Sequence, residues 1–108
     1  MNLKFRAWDK IGKRMYTSPN DNQEVDLILM QYTGLMDKNG KEIYEGDIIE
    51  NHPGVTWMVD WSNKKAQWRV YGGGNFALCS MGAIKIIGNI YENGELLPIP
   101  PNEISDSH

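Results

Sequence analysis

The chain has 108 residues, 41% of them apolar and 23% charged, which suits one globular domain with one core and excludes disorder of the whole chain. A formal charge of -3 argues against a general nucleic-acid coat protein, since such proteins carry a basic surplus that releases counterions from phosphates. Cys79 is the single cysteine, so no internal disulfide can form, and no segment is long and apolar enough to cross a membrane.

Met1–Arg6 lacks the apolar run of a signal peptide, and a reducing cell interior is the expected setting. From Leu3 the chain alternates: Leu3, Phe5 and Ala7 point one way, Lys4, Arg6 and Trp8 the other. Asp9-Lys10-Ile11-Gly12-Lys13 then fits a three-residue hairpin loop with a bulge at Gly12, returning through Arg14-Met15-Tyr16-Thr17. That turn sets Ala7 opposite Met15 and Arg6 opposite Tyr16. It therefore predicts one face of Phe5, Ala7, Met15 and Thr17 and another of Arg6, Trp8, Arg14 and Tyr16.

Ser18 to Glu24 read as a polar loop around Pro19. Val25–Tyr32 suits either a buried strand or a short helical turn. Asp37-Lys38-Asn39-Gly40-Lys41 repeats the chemistry of the first turn and sets Leu35 against Ile43. Glu45-Gly46-Asp47 ends that hairpin, Ile48-Ile49-Glu50 is a short strand, and His52-Pro53-Gly54 is a turn.

The clearest stretch follows. Val55, Trp57, Val59 and Trp61 alternate with polar or flexible neighbours, and after Ser62–Lys65 so do Ala66, Trp68 and Val70. A turn centred on Asn63-Lys64 pairs Trp61 with Ala66, Val59 with Trp68 and Trp57 with Val70, with all six on one face. Burying those indoles removes about 150–250 Å² per ring from water, so this hairpin is expected at the centre of the core. Gly72–Gly82 reads as a loop with a short strand at Phe76-Ala77-Leu78, Ala83–Tyr91 as the last strand, and Asn93-Gly94 as another turn. One domain over residues 1–97 is expected, and the Pro-containing tail 98–108 is expected to be flexible.

Several strings carry a resemblance: Leu29–Leu35 continuing through Asp37–Ile49, together with Lys4–Asp9, Met15-Tyr16, and Ile87–Asn93 with Leu96-Leu97. Together they resemble the YopX family of phage and prophage proteins. The resemblance implies a bacteriophage or prophage origin, hence the cytoplasm of a bacterial host, and a tendency to self-associate. It brings no catalytic motif with it.

Enzymatic chemistry has little else to stand on. Asp37, Glu42, Glu45, Asp47 and Glu50 cluster in sequence, and a small hydrolase using acidic residues near Asp47 is the reading they offer, but turn and strand-edge solvation outweighs it. Asp-x-Asn-Gly lacks the later ligands of a calcium loop. His52 and His108 with one cysteine make no zinc set, Cys79 reads as buried filler, and Gly72-Gly73-Gly74 lacks the Lys-Ser/Thr of a phosphate loop. No cofactor or metal is expected, and the chain reads as a non-enzyme.

The most suggestive surface is Arg6, Trp8, Arg14 and Tyr16. Two guanidinium groups beside two rings suit a protein interface, where Trp, Tyr and Arg are enriched. They also suit single-stranded nucleic acid, with bases stacked and phosphates neutralised, a reading that the acidic total charge weakens. Against both stands a second core layer, with Trp8 inside and the arginine stems covering it. The sequence thus predicts a mainly β protein with little helix, a small SH3-like barrel or strongly bent antiparallel sheet built from hairpins. Its expected role is a non-enzymatic module that binds a host or phage protein or forms a homo-oligomer.

Overall fold

A computed structural model describes residues 3–17, 27–72 and 74–97. The polar stretch around Pro19, the start of the ambiguous run at Val25 and the tail 98–108 lie outside the described residues. Within them the chain is mainly β, as alternation and turn chemistry predict. The strands are β1 (Phe5–Asp9), β2 (Arg14–Tyr16), β3 (Leu27–Met36), β4 (Glu42–Tyr44), β5 (Asp47–His52), β6 (Val55–Ser62), β7 (Gln67–Tyr71), β8 (Asn75–Ala77) and β9 (Lys85–Asn89). Two single 3-10 turns, Leu78–Ser80 and Gly94–Leu96, are the helical content of the described residues. No helix among the described residues is long and apolar enough to cross a membrane. The ambiguous run resolves as strand: β3 pairs along its first half with β1, and Tyr32 lies opposite Tyr44 of β4.

Two antiparallel sheets result among the described residues, ordered β2-β1-β3-β4 and β8-β7-β6-β5-β9, one of them curled into a half-barrel. They are joined at Glu45-Gly46. The Glu45 N–H donates to the Gln31 carbonyl on the first sheet, and the Gly46 N–H donates to the Val59 carbonyl on the second. Gly46 sits at φ +87°, a backbone conformation that favours glycine, and a Cβ there would stand 3.3 Å from the Met30 sulfur, which would have to give by a few tenths of an ångström.

The core lies on one face of the larger sheet: Ile49, Trp57, Val59, Val70, Ile84 and Ile86, closed by Ile43 and Leu78. Trp57 is buried at its edge, its indole N–H donating to the Asn51 Oδ1 at 3.0 Å. The β6–β7 register differs from the expected one by two residues. Val59 pairs with Val70 and Trp61 with Trp68, while Ala66 leaves the strand for the turn at φ +52°. A shift of two preserves which side each residue faces, so the three indoles remain on one side of the ribbon. They do not stack on one another, however. Trp57 meets Phe76 edge-on at 5.5 Å, while Trp61 and Trp68 meet each other at 5.1 Å, Trp68 packed half-buried against the core and Trp61 outside it.

The first hairpin differs by one residue, which has a larger consequence. Ala7 pairs with Tyr16, Trp8 with Met15 and Asp9 with Arg14. The reason is the loop. Asp9 Oδ1 accepts from the amides of Ile11 and Gly12, the Asp9 carbonyl accepts from Lys13, and Lys13 rather than Gly12 takes the left-handed position at φ +57°. The loop is thereby one residue longer than the Gly12 bulge would make it. The second Asp turn keeps its glycine in the expected role, with Gly40 at φ +80° and Met36 opposite Glu42, but a bulge between Tyr32 and Met36 breaks the register beyond it, so the expected Leu35–Ile43 pair does not form: Leu35 is exposed and Ile43 buried. Cys79, expected inside, is exposed in the 3-10 turn after β8.

Candidate functional site

The four residues singled out in the first hairpin are divided between two faces. Arg6 and Trp8 point inward with Met15; Arg14 and Tyr16 share the outer face with Phe5, Ala7 and Asp9. Trp8 is buried, its ring stacked on Tyr91 at 5.8 Å. Arg6 Nη2 donates to the Asp47 Oδ1 at 2.7 Å and to the Glu45 carbonyl at 3.3 Å, and its guanidinium lies 4.9 Å from the Tyr44 ring centre. The pair is interior, with side chains 12% and 2% exposed. Arg6 and Trp8 therefore hold the two sheets together, and the aromatic-basic face does not assemble as a surface.

The acidic residues are likewise held apart by separate tasks. Asp37 is buried; its Oδ1 accepts from the Asn39 and Lys41 amides, each at 2.9 Å, and its Oδ2 from the Ile86 amide at 3.0 Å. Burial pushes its pKa up, yet these amides outweigh burial and hold it below the ordinary aspartate value. Glu42 pairs with Lys4 at 2.6 Å, and Glu50 Oε2 accepts from the Gly54 amide. Asp47 also accepts from the Tyr44 amide at 2.8 Å; burial raises its pKa, with Arg6 and that amide pulling against it. Among the described residues no three His, Cys, Asp or Glu side chains converge on a point where a metal would sit.

What the fold leaves outside is a different strip. On the outer face of the first sheet Phe5 is opposite Gln31, and the fully buried Ala7 lies between Leu29 on one side and Tyr16 on the other. Phe5 is 37% exposed and Leu29 57%. Gln31 carries the strip onward, because it lines an open cleft of about 410 Å³ with Glu45, Trp61 and Trp68. Trp61 is 38% exposed, a large fraction for an indole already packed on another.

Glu45 sits in the wall between that cleft and a second one, of about 220 Å³, which Leu29, Met30, Asp60 and Tyr91 help to line. Its carboxylate is half-buried, and among the described residues no lysine or arginine pairs with it. Burial raises its pKa, the nearby Asp60 charge adds to the rise, and the Gln31 amide opposes it.

Sequence reasoning missed Leu29, Gln31 and the exposed position of Trp61, and met Glu45 only as one of the clustered carboxylates. Leu29 lay in a run whose very type of element was ambiguous. Glu45 read as part of a turn, and its place between clefts depends on strands from both sheets meeting at it. Trp61 did carry a signal, being the last apolar residue of its strand before the turn.

Comparison with known proteins supports the fold and gives a family. The family profile described as "YopX protein" matches residues 16–98. Protein EF1440 from Enterococcus faecalis, a crystal structure, superposes with a TM-score of 0.69 at 24% identity, covering 90% of this chain and 99% of that one; this likeness bears on the fold alone. Among curated proteins no sequence matches.

Proposed function

This chain belongs to the YopX family, and from that premise we propose that it is a non-enzymatic accessory protein of a bacteriophage or prophage, working inside the bacterial host by binding protein, either a host or phage partner or further copies of itself. One observation carries the reading: an apolar and aromatic strip, from Leu29 and Phe5 across Gln31 to Trp61, stays exposed, with Trp68 half-buried behind Trp61, while Trp8 and Trp57 are buried. Contiguous exposed apolar surface is unfavourable in water and marks places where proteins meet. Its aromatic members are the residue types that dominate binding energy at such contacts. The strip replaces the Arg6/Trp8/Arg14/Tyr16 face as the docking surface, and Tyr16 alone of those four borders it, beside Ala7.

The test uses the full chain and a Phe5→Ser/Leu29→Ser double variant. Light scattering after size exclusion gives the assembly mass, and affinity capture from host and phage-infected lysates gives the partner set. The expected result is a lower mass or a lost partner in the variant, with an unchanged circular dichroism spectrum. The same mass and the same captured set in both proteins would overturn the proposal.

A further inference from the structure

Glu45 poses a physical problem that the chain itself does not solve. Its carboxylate is half-buried in the wall between two clefts, the second of them lined by Asp60, whose own counter-charge is Arg69 at 3.6 Å; Glu45 itself has no lysine or arginine partner among the described residues. The nearest guanidinium with a recorded contact to this residue, that of Arg6, donates to the Glu45 backbone carbonyl and is committed to Asp47. A half-buried charge of this kind is costly unless a counter-charge arrives. The first of these clefts, which Glu45 lines together with Gln31, also holds two indoles, meeting at 72° between ring planes. Indole faces attract cations, and Trp is the strongest of the aromatic side chains in this respect.

We propose that the cleft formed by Gln31, Glu45, Trp61 and Trp68 receives an arginine side chain from the partner protein, so that the partner's docking segment is basic. A carboxylate favours arginine because the planar guanidinium offers it two parallel N–H donors while its flat face lies on an indole. The cleft is open and has two rings, whereas a methylated ammonium is best held by an enclosing cage of several. Partner binding then supplies the charge that Glu45 lacks. The inference rests on the protein-binding reading above and adds the chemistry of the residue that enters.

The experiment uses the full chain and a small probe in place of a partner. N-acetyl-arginine methylamide is titrated in while the indole N–H and Gln31 and Glu45 amide resonances are followed by NMR, with the citrulline, lysine and trimethyl-lysine analogues as controls. Arginine is expected to bind saturably in the millimolar range, moving the signals of Trp61 and Trp68 but not that of the core residue Trp57, with citrulline at least about tenfold weaker. Glu45→Gln should weaken arginine about tenfold and remove the preference over citrulline, and Trp61→Ala should weaken both. Shifts that never saturate, equal binding of citrulline, or tighter binding of either lysine analogue would overturn the arginine assignment. The Phe5→Ser/Leu29→Ser variant separates the two claims: it should bind the probe normally, so an arginine result fails or succeeds independently of the assembly and capture results.

Discussion

The two hairpins β1–β2 and β6–β7 miss their expected registers by one residue and by two, and the outcomes are opposite. A strand's side chains alternate with period two. A slip of two therefore moves partners along the ribbon but keeps each residue on its side, and Trp57, Val59, Trp61, Trp68 and Val70 still share a face. A slip of one exchanges sides, and it separates Arg6 and Trp8 from Arg14 and Tyr16. The same uncertainty about a turn is harmless for a fold prediction in one case and fatal to a site prediction in the other. A proposed surface that combines residues from two strands is only as sound as the parity of the loop between them.

The largest expected effect comes from testing that parity through charge. Asp47→Ala leaves the Arg6 guanidinium in the interior without its carboxylate and the Tyr44 amide without its acceptor. Breaking such a buried pair costs about 3–5 kcal/mol, a large share of a small domain's stability. Arg14→Ala, on the outer face, should stay within about 0.5 kcal/mol. Urea unfolding of the two variants checks the contrast; similar losses would mean that both arginines point the same way after all.

Within the second hairpin the comparison is between indoles that share a side but not a depth. Trp57→Ala removes a ring from the core, and about 3–5 kcal/mol is expected. Trp61→Ala loses chiefly its edge contact with Trp68, so about 0.5–1.5 kcal/mol is expected from the same unfolding measurement. Equal costs would place Trp61 in the core and leave the proposed docking strip without its aromatic end.

These contrasts show what could be read from the chain. Alternation alone identified β1, β6 and β7 and the side on which Trp57 and Trp61 lie, because a pleated strand translates spacing directly into facing. The turn at Asp37 was legible too, since Gly40 occupies the position that needs a left-handed backbone. The turns at Lys10–Lys13 and Asn63–Ala66 were not, because there the left-handed residue is Lys13 or Ala66 and carries no compositional mark. The burial of Trp8 was one of the readings the hairpin offered, but its partner Tyr91, at the far end of the chain, was not legible, nor was the isolation of Glu45, which depends on where two sheets join.

Acidity should sharpen the contrast between the sheet junction and the Asp37 turn. Glu45 and Asp47 have folded-state pKa values raised by burial, so the folded protein binds their protons more readily than the unfolded chain does. As pH falls from neutral towards the ordinary carboxylate range, these two groups add stability. Asp37 works in the other sense: its pKa is lowered in the fold, so its contribution is present above the ordinary aspartate value and is lost as pH falls through the folded value. Urea midpoints measured from pH 7 downward should therefore rise before they fall. Glu45→Gln should flatten the rise and Asp37→Asn should remove part of the fall. A profile that declines steadily from neutral pH, unaffected by Glu45→Gln, would contradict a Glu45 carboxylate held without a counter-charge.

The smallest effect concerns the loops that set the registers. Lys13 and Ala66 each close a four-residue turn in a left-handed conformation that strains an L side chain, by roughly 1–2 kcal/mol in the helical reference, whereas glycine adopts it freely at an entropic cost of roughly 0.5–1 kcal/mol. The difference predicts that Lys13→Gly and Ala66→Gly each stabilise the protein by about 0.5 kcal/mol, seen as a thermal midpoint higher by a few degrees at most. Gly12→Ala is the opposing control. Gly12 is not left-handed, but a Cβ there would stand 2.5 Å from the Asp9 Oδ2, so it must displace the carboxylate whose other oxygen holds the Ile11 and Gly12 amides. Stabilisation by Lys13→Gly together with destabilisation by Gly12→Ala fixes the longer loop, and with it the side on which Arg6 and Trp8 lie. The reverse pattern would restore the Gly12 bulge and bring the four residues back to one face.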